Sequence, residues 1–475
     1  MSAEEIWKMS ACEISDAVRR KKLSAVEVSK SVGERASYVN SVTNCFASID
    51  IDAAVTEAKA VDKRVADGDA DLALAGVPFS VKDLIPARGF ETGCGSFTQE
   101  GQIANKDATV VNRVRQSGGL LLGKTTTPEF GCKVLTHSLR HGHTLNPWNL
   151  KKGPGGSSGG TAAAIASGAG SIAVSTDGGG SSRIPAGCCG VLGIKPTLAL
   201  VPNDYIPSRF VNFQGVGFNA RSVEDLALLL NVTNGPDDKD PWTLNGYKRN
   251  FAVSENPLGS LKGMRIQYFE TFGNSYVQPD VSTSIESLLD DFVRHGATVT
   301  LGSKNFDWAQ GINSGALLSS LSARFGDLVD ANADRMDLAL VMAVEMGRSV
   351  SSDDLAKAPI ARTELFDRVQ GLFQACDIVI TPTTASTALP FDQDVMGPLI
   401  VSGKEIGPLK SSWYPYSGAF NMTGHPAMSV PVGFDSNGMP IGMQLVGRYH
   451  SEELMLNTAK CVEHFRPWQT FWPEI

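Results

Sequence analysis

The sequence predicts an α/β protein built as one domain around a large central sheet. Three observations carry that expectation. Helix-like and strand-like apolar patterns alternate over most of the 475 residues, as in a sheet covered by helices. Sheet-like segments run from the first quarter of the chain to its end, so no boundary separates a helical part from a sheet part. No internal repeat divides the chain. Length alone suggests about three domains, but it also suffices for one large core.

Taken in order, residues 15–32 and 52–66 carry apolar side chains at three-to-four spacing and read as helices. The period then changes. In the stretch 76–83, Val77, Phe79 and Val81 alternate with other residues, the two-residue period of a strand. A helix is expected at 107–116 and a short buried strand at 119–123. Residues 161–166 read as helix, 171–175 and 191–194 as extended. A helix follows at 222–230, where Ser222 is positioned as N-cap with Asp225 three residues on. Residues 233–262 are polar and rich in Gly, Pro and Asp, the composition of a long surface connection. A strand is expected at 264–268, long helical patterns over 281–373, and a strand at 378–380. The late apolar runs 427–432 and 441–446 flank Asp435-Ser436-Asn437-Gly438 and form a strand pair.

Composition narrows the function. Asp and Glu total 50 against 42 Lys and Arg, a net charge of −8. That balance offers no electrostatic footprint for nucleic acid or an anionic membrane surface. The apolar stretch 161–175 is broken by Gly168 and Gly170 and falls short of the roughly 20 residues of a bilayer span. The opening residues are acidic and lack a basic flank before an apolar run, so no secretory signal is expected. Eight cysteines are scattered without a C-x-x-C pair, which fits a reducing cytoplasm.

The informative stretch is 153–196, GPGGSSGGTAAAIASGAGSIAVSTDGGGSSRIPAGCCGVLGIKP. Its Gly/Ser clusters alternate with ordered apolar segments, which a flexible linker does not do. So many sites without a Cβ indicate backbone that turns tightly or approaches a ligand. No Lys follows the glycines as a P-loop requires, and no G-x-G-x-x-G is present. The pattern G-x-S-x-G occurs at 155–159 and 156–160. It leaves open an α/β-hydrolase-type esterase with His425, His450 or His464 downstream, although 146–152 does not read as the strand such an elbow needs. A Ser activated by Lys is the other possibility. Lys82 ends an apolar-alternating strand, burial there would lower its pKa, and a neutral amine accepts a hydroxyl proton.

The segments 76–83 (GVPFSVKD), 155–160 (GGSSGG), 177–186 (DGGGSSRIPA) and 190–197 (GVLGIKPT) resemble the amidase signature family, as do 420–427 (FNMTGHPA) and 438–444 (GMPIGMQ). The resemblance covers most of the chain and is densest over 70–230. It implies a single domain over 1–475 with a central mixed, twisted β-sheet covered by helices. Within it lie N-terminal helices (1–70), the signature core (70–230), the connection 233–262, and substrate-side helices with C-terminal strands (263–475). It further implies a catalytic set of Ser181 as nucleophile, Ser157 as a bridging Ser preceded by a cis peptide, and Lys82 as base. The oxyanion hole falls on the N–H groups of Gly178, Gly179, Gly180 and Ser181, with Gly178 standing where many family members carry a bulkier residue. The implied reaction is hydrolysis of the C–N bond of a small uncharged amide: an aryl or aliphatic amide, a hydrazide or a carbamate. The intermediate is an acyl-enzyme on Ser181, and no cofactor is needed. The alternative within the family is the glutaminase subunit of a tRNA-dependent amidotransferase complex; a homodimer is the other assembly considered.

By the same resemblance Gly131, with Cys132 beside it, belongs to a loop that approaches the Ser–Lys network. Tyr205, Phe210 and Phe213 after the signature, and Trp413, Tyr414 and Tyr416 before the late motif, could line an apolar substrate channel. Asp177 and Arg183 read as structural supports of the glycine turn. His137, His141 and His143 lie in a loop-like stretch, and no metal site is expected there.

Overall fold

The computed structural model describes residues 6–304, 306, 308, 310–401 and 403–475. Residues 1–5, where the stretch read for a targeting signal begins, and 305, 307 and 309, within the run read as helical, lie outside the described residues.

Eleven strands form one mixed sheet. They are β1 (Phe46–Ile49), β2 (Pro78–Lys82), β3 (Leu120–Thr125), β4 (Ile172–Asp177), β5 (Leu192–Lys195), β6 (Gly215–Ala220), β7 (Arg265–Tyr268), β8 (Thr298–Leu301), β9 (Ile378–Pro382), β10 (Ala427–Phe434) and β11 (Pro440–Gly447). Their spatial order is β1-β3-β2-β4-β6-β5-β10-β11-β9-β7-β8. β2 runs parallel to both β3 and β4, whereas β4–β6, β6–β5 and β5–β10 are antiparallel. All five residues of β2 are buried, as expected of a parallel strand covered on both faces. Phe79, Val81, Val174, Ile194 and Phe218 contribute to the main apolar core. The parallel trio β3-β2-β4 brings the C-terminal ends of its strands to one edge, and open α/β sheets place ligands at such an edge. Lys82, Thr176 and Asp177 end there.

The expected strands are all in the sheet, and three more join them. β6, with sequence GVGFNA, has weak strand propensity and is held by pairing on both sides. β1 is a four-residue edge strand against β3. β8 is an exposed edge strand inside 281–373, so that run is not continuously helical. The expected helix 15–32 is two helices, Ala11–Arg19 and Ala25–Thr43. Each opens with a capping box, Ser10 with Glu13 and Ser24 with Glu27, and Lys21 between them adopts φ 57°. A C-terminal helix, Glu452–Phe465, packs on the sheet as well. Among the described residues no helix is long and apolar enough to cross a membrane.

Candidate active site

The site begins at the end of β2. Lys82 is fully buried, and its Nζ donates to three hydroxyls: Ser157 Oγ at 2.7 Å, Ser158 Oγ at 2.9 Å and Thr176 Oγ1 at 2.8 Å. Burial disfavours the ammonium and lowers its pKa from 10.5 to about 7, against the partial support of Asp177. Near neutral pH the amine is therefore available as a base. Ser158 Oγ–H donates in turn to the Thr176 carbonyl at 3.2 Å, so towards Lys82 Ser158 can only accept.

Ser157 and Ser158 come from one glycine-rich loop and Thr176 from the end of β4, while a second glycine-rich loop carries Ser181. The Gly156–Ser157 peptide is cis, and the loop leads directly into the helix Gly159–Ala166. The second loop, 178–182, leads into the helix Arg183–Cys189. The Ser158 N–H donates to the Ser181 carbonyl at 3.1 Å and ties the two loops together. Ser157 is buried and Ser181 partly exposed, so the second serine is the one a ligand can reach. Gly160 is required by close approach: a Cβ there would lie 2.5 Å from the Cys45 carbonyl oxygen and 2.6 Å from the Thr126 nitrogen.

Asp177 organises the second loop. Its carboxylate accepts the Gly180 N–H at 2.8 Å, the Ser182 N–H at 3.2 Å, Arg183 at 2.9 and 3.0 Å, and the Asn421 amide at 2.9 Å. Burial alone would raise its pKa; Arg183, Asn421 and the Gly180 N–H reverse that and hold the carboxyl well below its usual range. Arg183, also fully buried, reaches Gln444 Oε1 at 2.6 Å, Asn421 Oδ1 at 2.7 Å and the Ser417 carbonyl at 3.2 Å. The Gly180 N–H is committed to Asp177, while those of Gly178, Gly179 and Ser181 have no acceptor among the described residues.

The remaining candidates divide. A Cβ on Gly131 would lie 3.3 Å from Ser157 Oγ, so this glycine does abut the serine–lysine cluster. Cys132 follows it, and Tyr414 is close enough for the Cys132 thiol to help raise its pKa, after burial. Trp413 is fully buried, and its indole N–H donates to the Ser386 carbonyl at 3.1 Å: it is core, not channel wall. Tyr416 is equally buried and bonded to the Glu270 carbonyl. Tyr205 packs on the main core. Phe210 is 78% exposed and meets Trp242 edge-on, so it belongs to the surface. His137 and His143 are paired across a short ladder, not in a loop, with ring centroids 4.1 Å apart; Lys133 donates to His137 Nδ1 at 3.1 Å.

No strand leads into 155–159, and the buried partner of Ser157 is a lysine. His425 is occupied elsewhere, stacked on Phe373 and hydrogen-bonded to Thr423 and Gln370. The hydrolase-elbow alternative is thereby removed.

A family model for amidases matches residues 27–456. The chain belongs to the amidase family. This amidase is 32% identical over 474 residues to the acylamidase of Rhodococcus erythropolis, with 98% of each chain covered. It is 30% identical over 496 residues to a glutamyl-tRNA(Gln) amidotransferase subunit from Methylobacillus flagellatus, covering 97% of this chain and 98% of that one. Among solved structures, a bacterial aryl acylamidase of the amidase signature enzymes matches with TM-score 0.88 and 28% identity over 97% of both chains. The amidase is thus a hydrolase acting on amide C–N bonds, with the amidase signature fold.

Ser158, Thr176, Asn421 and Gln444 were not singled out by sequence reasoning as site residues. All but Thr176 lie inside the segments that carry the family resemblance, and Thr176 immediately precedes one; a polar residue held at a fixed place in such a segment was the available signal.

Proposed function

We propose that this amidase hydrolyses small uncharged amides, aryl amides foremost, through an acyl-enzyme on Ser181. Lys82 in its neutral form takes the Ser181 proton through the Ser157 hydroxyl, and Ser181 Oγ bonds to the amide carbon. The developing oxyanion meets the N–H groups of Gly178, Gly179 and Ser181. One such donor is worth about 2.7–4 kcal/mol in the transition state. The proton returns along the relay to the leaving amine as the C–N bond breaks. Water, deprotonated by the same relay, then releases the acid.

The observation that carries this reading is the fully buried Lys82 bonded at 2.7 Å to Ser157, all three of its partners being hydroxyls. No carboxylate is among those partners to hold the amine charged. The half-buried Cys132, next to Gly131, and Tyr414 offer apolar surface suited to an aryl or acyl group. The similarity to an acylamidase and an aryl acylamidase supports the same class. Eight unpaired cysteines support a reducing compartment, the cytoplasm.

The test is a panel of anilides, aliphatic amides, carbamates and glutamine offered to the purified chain. Anilide turnover by the protein alone is expected, with an acyl adduct on Ser181 by intact-mass measurement. Ser181→Ala should lower the rate by about 10⁴-fold or more. The second reading, a glutaminase subunit, draws on the 30% identity to the amidotransferase subunit over nearly the whole length. Glutamine hydrolysis that appears only with partner subunits would favour it.

A further inference from the structure

Phe130 and Gly131 are consecutive residues in the left-handed region, at φ 48°, ψ 21° and φ 72°. For a bulky aromatic residue this backbone is unfavourable, and it persists only where its surroundings over-determine it. Its result is the approach of Gly131 to Ser157, with the position of a Gly131 Cβ 3.3 Å from the serine Oγ.

The enforcing contacts come from a distant part of the chain, the helical hairpin Gln310–Asn332 and Leu338–Arg348. Asp337, in its turn, acts on both sides of the Phe130–Gly131 pair. Its N–H donates to Glu129 Oε2 at 2.5 Å, and its carboxylate pairs with the Lys133 ammonium while capping its own helix at the Ala339 N–H, 3.0 Å. Glu129 is fixed further by the Ser96 hydroxyl at 2.5 Å. From the first helix of the hairpin, Phe325 places its ring 4.4 Å from that of Phe130. Cys132 packs into the same apolar cluster as Leu340 and Val344.

We propose that Asp337 and Phe325 are positioning residues for Ser157: the hairpin clamps residues 129–133 so that Gly131 stays against the serine hydroxyl and fixes its aim. This rests on the reading of Ser157 as the proton relay. Once the clamp is released, Phe130 leaves the left-handed region and Ser157 loses its backing. The defect should appear in the activation of Ser181 rather than in substrate affinity.

The test measures the rate at which a fluorophosphonate labels Ser181, together with kcat and KM for an anilide. Asp337→Ala and Phe325→Ala should each slow labelling and kcat about tenfold, with KM changed less than about twofold. Lys133→Gln, which leaves the Asp337 helix cap in place, should give a smaller loss in the same parameters and keeps the test decisive if Asp337→Ala does not fold. Phe130→Gly in the Asp337→Ala background should recover labelling, because glycine holds the left-handed conformation without a clamp. Wild-type labelling in the folded variants, or a loss that Phe130→Gly leaves untouched, overturns the proposal. Labelling and turnover that survive Ser181→Ala would instead overturn the reading of the site itself.

Discussion

At Lys82 the deciding quantity is the direction of the amine lone pair. Ser158 gives its proton to the Thr176 carbonyl and so accepts an N–H from Lys82; Thr176 Oγ1 can accept a second. All three hydroxyls accept from the ammonium; once the amine is neutral and has two N–H groups, Ser157 is the one left to donate to it. With the Lys82 pKa lowered to about 7, protonation below that value removes the base. The rate kcat/KM should therefore rise with pH through about 7 and level off above it. Thr176→Val removes an acceptor that stabilises the ammonium, so the rise should move to lower pH, while Thr176→Ser should keep it in place. The charged groups to consider around the amine are Asp177, clamped by Arg183, and the Asp83–Lys124 pair, Asp83 directly following Lys82 and Lys124 on β3. A pH–rate series on the three proteins decides the matter, and coincident profiles would refute the assignment. That Lys82 meets Ser157 was legible because each sits in a long motif. The parts of Ser158 and Thr176 were not, because donor and acceptor directions follow from distances no sequence displays. The aromatic residues show the same limit: Trp413 and Tyr414 are neighbours of similar type, yet one is fully buried and the other only half-buried.

Among the elements, helix packing explains why the glycines after Ser157 are needed. Gly160 lies against the backbone of Cys45 and Thr126, and a Cβ at 2.5–2.6 Å from main-chain atoms has no rotamer by which to escape. Gly160→Ala should thus cost about 1–3 kcal/mol, read as a lowered melting temperature; an unchanged melt would show that the helix can slide away. Periodicity found most of the elements but misjudged their joints. It merged residues 15–32 because apolar residues at three-to-four spacing lie on both sides of Arg20–Ser24, which itself holds only Leu23, while the break is set by Ser24 and Glu27 at the next helix start. It passed over β6 because two glycines and an asparagine hide a strand that exists through its neighbours' hydrogen bonds. It did locate Lys82 at a strand end.

For the molecule as a whole, the Asp177–Arg183 pair joins distant parts of the chain at the centre of the sheet. Arg183 follows the glycine loop near the middle of the sequence, and its guanidinium is completed by Asn421 and by Gln444 on β11. Both ions are fully buried, so removing one leaves the other uncompensated. Arg183→Met should destabilise the protein by about 3–5 kcal/mol, measurable as a lower denaturant midpoint. An effect below about 1 kcal/mol would mean that Asn421 and the backbone N–H groups suffice for the carboxylate. The α/β class and the single sheet could be read from the alternation of periods. The meeting of residues 183, 421 and 444 could not, because strand order is decided by pairing, and β5 against β10 joins segments far apart in sequence.

That seam has a consequence for biosynthesis. A nascent polypeptide halted before Gln444 would already contain the lysine and both serines, yet its glycine loop would lack the far half of the brace around Arg183. Such a fragment would therefore carry the loop without the support that fixes it in the finished chain.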